Sequence, residues 1–463
     1  MFQPRTHLAI ATFATLGFAA AALGDAPRYR VSIVADPAEN DTISTAVNRT
    51  GTSVGYLYEY DGTHTYPRAF VADKSGVFTR IDVPTNLRSE ADAINDRGVV
   101  SGTFQIEVEG LSHDRLFRYT PESGCVDLGT LGGRHGSVYD MNNRGDIVGY
   151  WSDATGEYRA FKYSDATGWT VLYPNNTRTA WGQDINDRGE VVGNVWTSGN
   201  STTAWYWRDG VLTEIGNFGG SRTSVYYINN SGVAIGHSDM PDGTARAFRW
   251  SAETGIVALP LLPGAVESKA FWITDAGTIG GTQRFEVLDE FGIRMEYHAF
   301  TFDAAHGLVD LGVDIGTDWQ SPVGMNETGA AVFTTMDLNA YELHPYVYSP
   351  EFGAHELNDV LEGDVPFVVD QPMGINACGE ISAVAWSAFG DVTPISVSVL
   401  LSPIRTGDLD GDSDVDLADY ARLQANFATT SGAQPEQGDL DGDGDVDARD
   451  AQAFIAAWRS PCR

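Results

Sequence analysis

Hydrophobic positions along most of this chain alternate with polar ones over short stretches, the period of a strand with one buried face, and helical spacing appears only in the C-terminal segment. The alternation is densest in seven aromatic segments: RAFVAD at 68–73, RLFRYT at 115–120, RAFKYS at 159–164, TAWYWR at 203–208, RAFRWS at 246–251, HAFTFD at 298–303 and HPYVYS at 344–349. β-Branched and aromatic residues suit a pleated, half-buried surface, so each segment predicts a strand. Upstream lies a second run of strand formers, as in GVVSG at 98–102, GDIVG at 145–149 and GEVVG at 189–193. Ahead of that run stands a six-residue phrase: AINDRG at 93–98, DMNNRG at 140–145, DINDRG at 184–189 and YINNSG at 227–232, with weaker copies AVNRTG at 46–51, GMNETG at 324–329 and GINACG at 374–379. WITDAG at 272–277 puts Thr274 where the others have Asn, and successive copies are separated by roughly 43 to 52 residues. Asn at the first corner of a type I turn bonds the backbone two residues on, and Gly three positions later takes the left-handed conformation of a bulge. Each phrase therefore predicts a tight hairpin. A last segment, such as VDLGTLGG at 126–133 or LTEIGNFGG at 212–220, brings each unit to four short strands.

Four strands in about 45 residues, repeated without helical periodicity, are what one β-propeller blade requires. Unit eight has its turn at Asn376, a strand from Glu380 to Ala385 and another from Ile395 to Leu401, but no fourth strand, while YRVSIVA at 29–35 is an orphan. If the orphan completes the last unit, the ring closes through the two chain ends and loses its open edges. The expected fold is an all-β propeller of about eight four-stranded blades over 25–402, with seven the alternative count, followed by a linker at 403–406 and a small all-α domain at 407–463. The R-A-F and H-A-F segments and the L-G-T-L-G-G phrase resemble the HAF repeat family of exported bacterial proteins over about 370 residues. That resemblance implies an extracellular, propeller-like repeat and specifies no activity.

After the linker the composition turns to aspartate at every second position, in GDLDGDSDVDLAD at 407–419 and GDLDGDGDVDARD at 438–450. In the second copy Asp439, Asp441 and Asp443 take positions 1, 3 and 5 of a calcium loop, Gly444 the sharp turn at 6, and Asp450 position 12. Asp445 is placed to offer its backbone carbonyl at position 7, and Asp447 to act through water at 9. The first copy runs likewise through Asp408, Asp410, Asp412, Asp414, Asp416 and Asp419, with Ser413 in the place of the turn glycine. A β-carbon there strains the turn, so of two expected Ca²⁺ sites the first is the weaker. Tyr420, Leu423 and Phe427 after the first loop, and Ala451, Phe454, Ile455 and Trp458 after the second, have the spacing of two amphipathic helices facing each other. A domain this small has little core, so calcium binding is expected to be coupled to its folding.

This duplicated loop and helix resembles the type I dockerin family over 407–463, whose members dock onto cohesins and often tether polysaccharide-degrading enzymes. The family's contact pair falls at loop positions 10 and 11; here those positions are Leu417 and Ala418, and Ala448 and Arg449, in place of the usual small polar pair. A cohesin-like or other extracellular protein is the expected partner, and an intramolecular role is the alternative.

Arg5 and His7 precede an apolar run from Leu8 to Leu23, and the small residues before Asp25 suit a signal peptidase, so 1–24 reads as a signal peptide and the chain as secreted or surface-bound. With Asp+Glu 63 against Lys+Arg 29, the net charge of -34 argues against nucleic acid and anionic membranes as partners. Three cysteines, Cys125, Cys378 and Cys462, allow at most one disulfide. GTSVG at 51–55 fits a nucleophile-elbow pattern, but it occupies the repeat's slot for a second strand and has no helix after it. No catalytic residue is assigned. The leading expectation is a calcium-binding protein whose propeller holds an extracellular glycan or protein; the alternatives are a dockerin-bearing glycoside hydrolase or lyase and a structural or adhesive envelope protein.

Overall fold

The computed structural model describes residues 26–458 apart from 35–40, 61, 86, 174–178, 198, 200, 290–291, 315–322, 338–341, 364, 388–395, 411–414 and 441–442. The segment read as a signal peptide lies outside the described residues, as do Asp412, Ser413, Asp414, Asp441 and Cys462. Eight four-stranded antiparallel sheets follow one another in chain order. Their first strands lie side by side around a closed ring, which makes an eight-bladed propeller. Blade 8 is built from Phe367–Ile375, Ile381–Ser387 and Ser396–Pro403, with Tyr29–Ile33 as its outermost strand. Tyr29 pairs with Pro403 and Ile33 with Val399, so the orphan strand closes the ring as its sequence predicts.

The aromatic segments are the third strands of their blades. Phe70, Phe117, Phe161, Trp205, Phe248 and Phe300 are no more than 1% exposed, and each buried ring contributes roughly 1.5–3 kcal/mol. A glycine on the second strand faces each ring, for example Gly102 opposite Phe117 and Gly193 opposite Trp205. A β-carbon on Gly193 would sit 2.2 Å from the Trp181 carbonyl oxygen and 2.2 Å from Cζ2 of Trp205, so only glycine lets the ring lie on the strand. Blade 7 solves the same problem differently, with Phe333 opposite Tyr346 and the two rings stacked at 5.7 Å. Apolar clusters fill the gaps between blades, such as Val34, Leu400, Phe70 and Ala72 where blade 8 meets blade 1.

The hairpin phrase acts at two levels. Within the turn, Asn95 Oδ1 accepts from the N–H groups of Arg97 and Val99, both at 3.0 Å, and Gly98 takes a φ of 74°. Between blades, the Nδ2 of each asparagine donates to the main-chain carbonyl of its counterpart in the next blade. The bonds run from Asn48 to Asn95, Asn142, Asn186, Asn229 and Thr274 at 2.9–3.1 Å. They resume from Asn326 to Asn376 at 3.0 Å and from Asn376 back to Asn48 at 2.8 Å, a link across 328 residues. These asparagines are buried. Thr274 has no amide to donate, so the step from blade 6 to blade 7 lacks this bond. A second ring uses the following residue: Asp96, Asn143, Asp187, Asn230 and Asp275 each accept, through Oδ1, the N–H of the equivalent residue in the preceding blade at 2.7–2.9 Å.

Beyond the propeller, helices α1 (Leu417–Asn426) and α2 (Ala448–Trp458) pack over Leu409, Val415, Leu423, Ala433, Val446 and Phe454. One expectation needs correction: Tyr420, Phe427 and Ile455 are 44%, 50% and 48% exposed. Leu423 and Phe454 are buried as their spacing predicts, and loop residues Val415 and Val446 join them in the core of the module. Val446 is fixed by main-chain bonds with Ala428 and Thr429 at 2.8 and 2.9 Å. The module rests against blade 8, where Arg30 pairs with Asp408 at 3.4 Å and Arg405 donates to the Cys378 carbonyl at 2.8 Å. Cys378 is disulfide-bonded and Cys125 is a free thiol.

Candidate functional site: two acidic loops at the helix starts

Each acidic loop is shaped by its last aspartate. Asp419 is fully buried; its Oδ1 accepts from the N–H groups of Leu409 and Asp410 at 2.6 and 3.0 Å, and its Oδ2 from that of Asp416 at 2.7 Å. Asp416 in turn caps α1 by accepting from Ala418 N–H at 2.6 Å, completing a reciprocal capping box. The second loop repeats the design: Asp450, also fully buried, accepts from Leu440 and Asp447 N–H, both at 2.7 Å, and Asp447 accepts from Arg449 N–H at 2.6 Å. Gly444 takes a φ of 87°, as the sharp turn demands, and donates to Asp439 Oδ2 at 2.9 Å. One acid thus ties the start of each loop to the first turn of its helix.

This folding draws acids together. Asp408, Asp410 and Asp419 bring ligand oxygens within 4.8 Å of one another, and so do Asp445, Asp447 and Asp450. Asp445, assigned from sequence a backbone role, stands with its carboxylate in the second group. Asp439 and Asp443 are spent in part on shaping the loop, through the bonds to Gly444 and, at 3.1 Å, Asp445. Carboxylates so close repel unless a cation lies among them. Each has lone pairs beyond those its N–H partners use, and hard oxygen donors suit Ca²⁺. The donor chemistry of both loops fits that ion.

The residues at loop positions 10 and 11 form the first turns of the two helices and face solvent: Leu417 is 70% exposed, the Arg449 side chain 72%, and Ala418 and Ala448 are exposed as well. Arg449 reaches back to Asp443 at 3.3 Å. Leu417 and Tyr420, three apart on α1, leave an apolar strip uncovered.

A second group of chemically capable residues gathers where blades 2 and 3 meet and is not marked by any motif. It comprises Asp92 and Tyr139 on first strands, with Arg88, Glu90 and Asp114 close by. Asp92 and Tyr139 hold the same repeat position in neighbouring blades, and the stacking of blade 2 on blade 3 brings the group together. The signal in the sequence is a repeat position that fails to repeat: three residues ahead of the ladder asparagine stand Thr45, Asp92, Tyr139, Gln183 and Tyr226.

Residues 406–457 match the family model described as Dockerin type I domain. No curated protein matches the chain. Among solved structures, it is similar to the β-propeller domain of the Trilobed protease from Pyrococcus furiosus, at 11% identity over 69% of this chain and 99% of that one, with a TM-score of 0.43. It is also similar to oligogalacturonate lyase from Vibrio parahaemolyticus, at 12% identity over 79% and 98% and a TM-score of 0.45. A third similar structure is dipeptidyl peptidase 4 from Porphyromonas gingivalis, at 8% identity over 87% and 69% and a TM-score of 0.47.

Proposed function

We propose that this chain, an eight-bladed propeller carrying a dockerin type I domain, is an exported attachment protein: calcium orders the C-terminal module, the module docks onto a cohesin-like partner, and the propeller holds an extracellular ligand. The observation that carries the reading is the pair of acidic loops, each converging three carboxylates at a helix start. Dockerin domains bind calcium and generally bind cohesins, and the exposed Leu417 and Tyr420 offer a protein partner apolar contact. Among the described residues no helix is long and apolar enough to cross a membrane. Two calcium sites are proposed, held by Asp408, Asp410, Asp412, Asp414, Asp416 and Asp419 and by Asp439, Asp441, Asp443, Asp445, Asp447 and Asp450.

Binding of the full chain to an immobilised type I cohesin, measured with calcium and again after EDTA, tests the attachment. Calcium-dependent binding that weakens in Leu417→Asp supports it; no binding in either condition refutes the cohesin partner. A glycan-active hydrolase or lyase is the second reading, favoured by Asp114 beside His135 at 3.3 Å where blades 2 and 3 meet. Release of reducing ends from a polysaccharide by the full chain would establish that reading in place of simple binding.

A further inference from the structure

In a ring built from repeats, positions that the fold requires recur from blade to blade, and the ladder asparagine does in seven of the eight. The residue three before each of them does not, although its backbone is treated alike around much of the ring. The first strand is bulged there, with register shifts between Ser44 and Ala46, Ala91 and Ala93, Val138 and Asp140, Gly182 and Asp184, and Val225 and Tyr227. A bulge re-aims the extra residue away from the regular faces of the sheet. Tyr139, on an innermost strand, is nevertheless 44% exposed. The same position in blades 7 and 8 holds Val323 and Met373. Blades 4 to 6 hold Gln183, Tyr226 and Phe271 there, so an acid occupies the position in blade 2 alone, with a tyrosine beside it in blade 3.

The sector around Asp92 and Tyr139, in blades 2 and 3, is organised. Tyr139 meets Tyr150 edge-on at 5.6 Å, and Tyr150 meets Tyr158 at 5.2 Å, so the rings brace one another. Arg88 donates to both oxygens of Glu90, at 3.0 and 2.5 Å, and lies within electrostatic reach of Asp92 and Asp114. Asp114 accepts from Gln105 Nε2 at 3.0 Å and stands 3.3 Å from His135 Nδ1. Burial holds the Asp92 carboxyl up at about 8, against the lowering pull of Arg88, so near neutral pH it carries a proton it can donate.

We propose that this sector binds a neutral carbohydrate, whose apolar ring face lies on Tyr139 while Asp92, Glu90 and Asp114 take its hydroxyls. Donors and acceptors alternate in the cluster, as hydroxyls require, and the Arg88 charge is already matched by Glu90. An anionic sugar would meet the carboxylates of Glu90 and Asp114, and a cation would meet Arg88. The inference rests on the reading of the propeller as the ligand-bearing part.

The full chain, in calcium, is tested first on an array of plant, algal and microbial polysaccharides and then by calorimetry with the neutral glucans, xylans and mannans retained there. Chitosan and polygalacturonate serve as cationic and anionic probes. Expected are binding of a neutral polysaccharide, a loss of about tenfold or more in Tyr139→Ala and recovery in Tyr139→Phe. Trp386→Ala, in blade 8 and 43% exposed in the native chain, should bind as wild type does. The proposal is overturned if no neutral polysaccharide binds, if only a charged probe binds, or if folded Tyr139→Ala binds undiminished. Should binding fail while chelation still abolishes cohesin docking, the carbohydrate site alone is wrong and the attachment reading stands.

Discussion

Asn142 shows how much a single side chain does in this ring. Its Oδ1 accepts from Arg144 and Asp146 N–H at 3.0 Å each, and its Nδ2 donates to the Asn186 carbonyl at 2.9 Å, all in buried surroundings. Asn142→Ala leaves two donors and a carbonyl unmet and should cost about 2–4 kcal/mol, read as a lowered denaturation midpoint. Thr274→Asn runs the other way. It supplies the missing amide between blades 6 and 7 and should add about 1 kcal/mol; an unchanged midpoint would show that the ladder does not govern stability. Asp92 gives a pH dependence of definite sign. Burial first, then the neighbouring Glu90, raise its carboxyl from 3.8 to about 8 in the fold. Its contribution is therefore complete below about pH 4 and is lost as the pH climbs to about 8. Asp92→Asn keeps the site neutral, so its thermal midpoint should fall less than that of wild type between about pH 5 and about pH 8.5. Of these roles the sequence announces only the turn: Asn-x-x-Gly is local chemistry, whereas the carbonyl that Asn142 Nδ2 meets lies 44 residues away. The sector around Asp92 is hidden for the same reason, being assembled from two neighbouring blades.

At the scale of the element, strands are legible because their period is local. The alternation in the R-A-F segments and the glycine opposite each ring fix which face is buried and how closely two strands approach. Gly193→Ala forces a β-carbon to within 2.2 Å of both Trp181 and Trp205, so it should destabilise strongly, by about 2 kcal/mol or more, and broaden the unfolding transition. The helices are less legible. Spacing alone marks Tyr420, Phe427 and Ile455 as apolar, but it does not reveal that Val415 and Val446 join Leu423 and Phe454 in the core and leave those three half exposed. The buried acid at each helix start is the more informative feature. Asp450→Asn puts an amide against two main-chain donors and removes a ligand charge, so it should unfold the C-terminal module at calcium levels that the native chain tolerates.

Across the whole molecule, the two chain ends are joined twice. Tyr29–Ile33 pairs into blade 8, and Asn376 bonds to Asn48, so the propeller has no free seam between its first and last blades. The missing fourth strand of unit eight and the orphan at the N-terminus make this closure readable in advance. The placement of the C-terminal module against blade 8 is not readable, since it depends on single contacts such as Arg30 with Asp408. That ion pair also engages an acid of the first loop, so calcium binding there and docking of the module on the propeller should influence each other. Calcium is expected to order this module while the propeller folds without it. Hydrogen exchange of the full chain, followed with calcium and after EDTA, should show α1, α2 and their loops losing protection on chelation while the blade strands keep theirs; unchanged protection over 407–458 would refute the coupling.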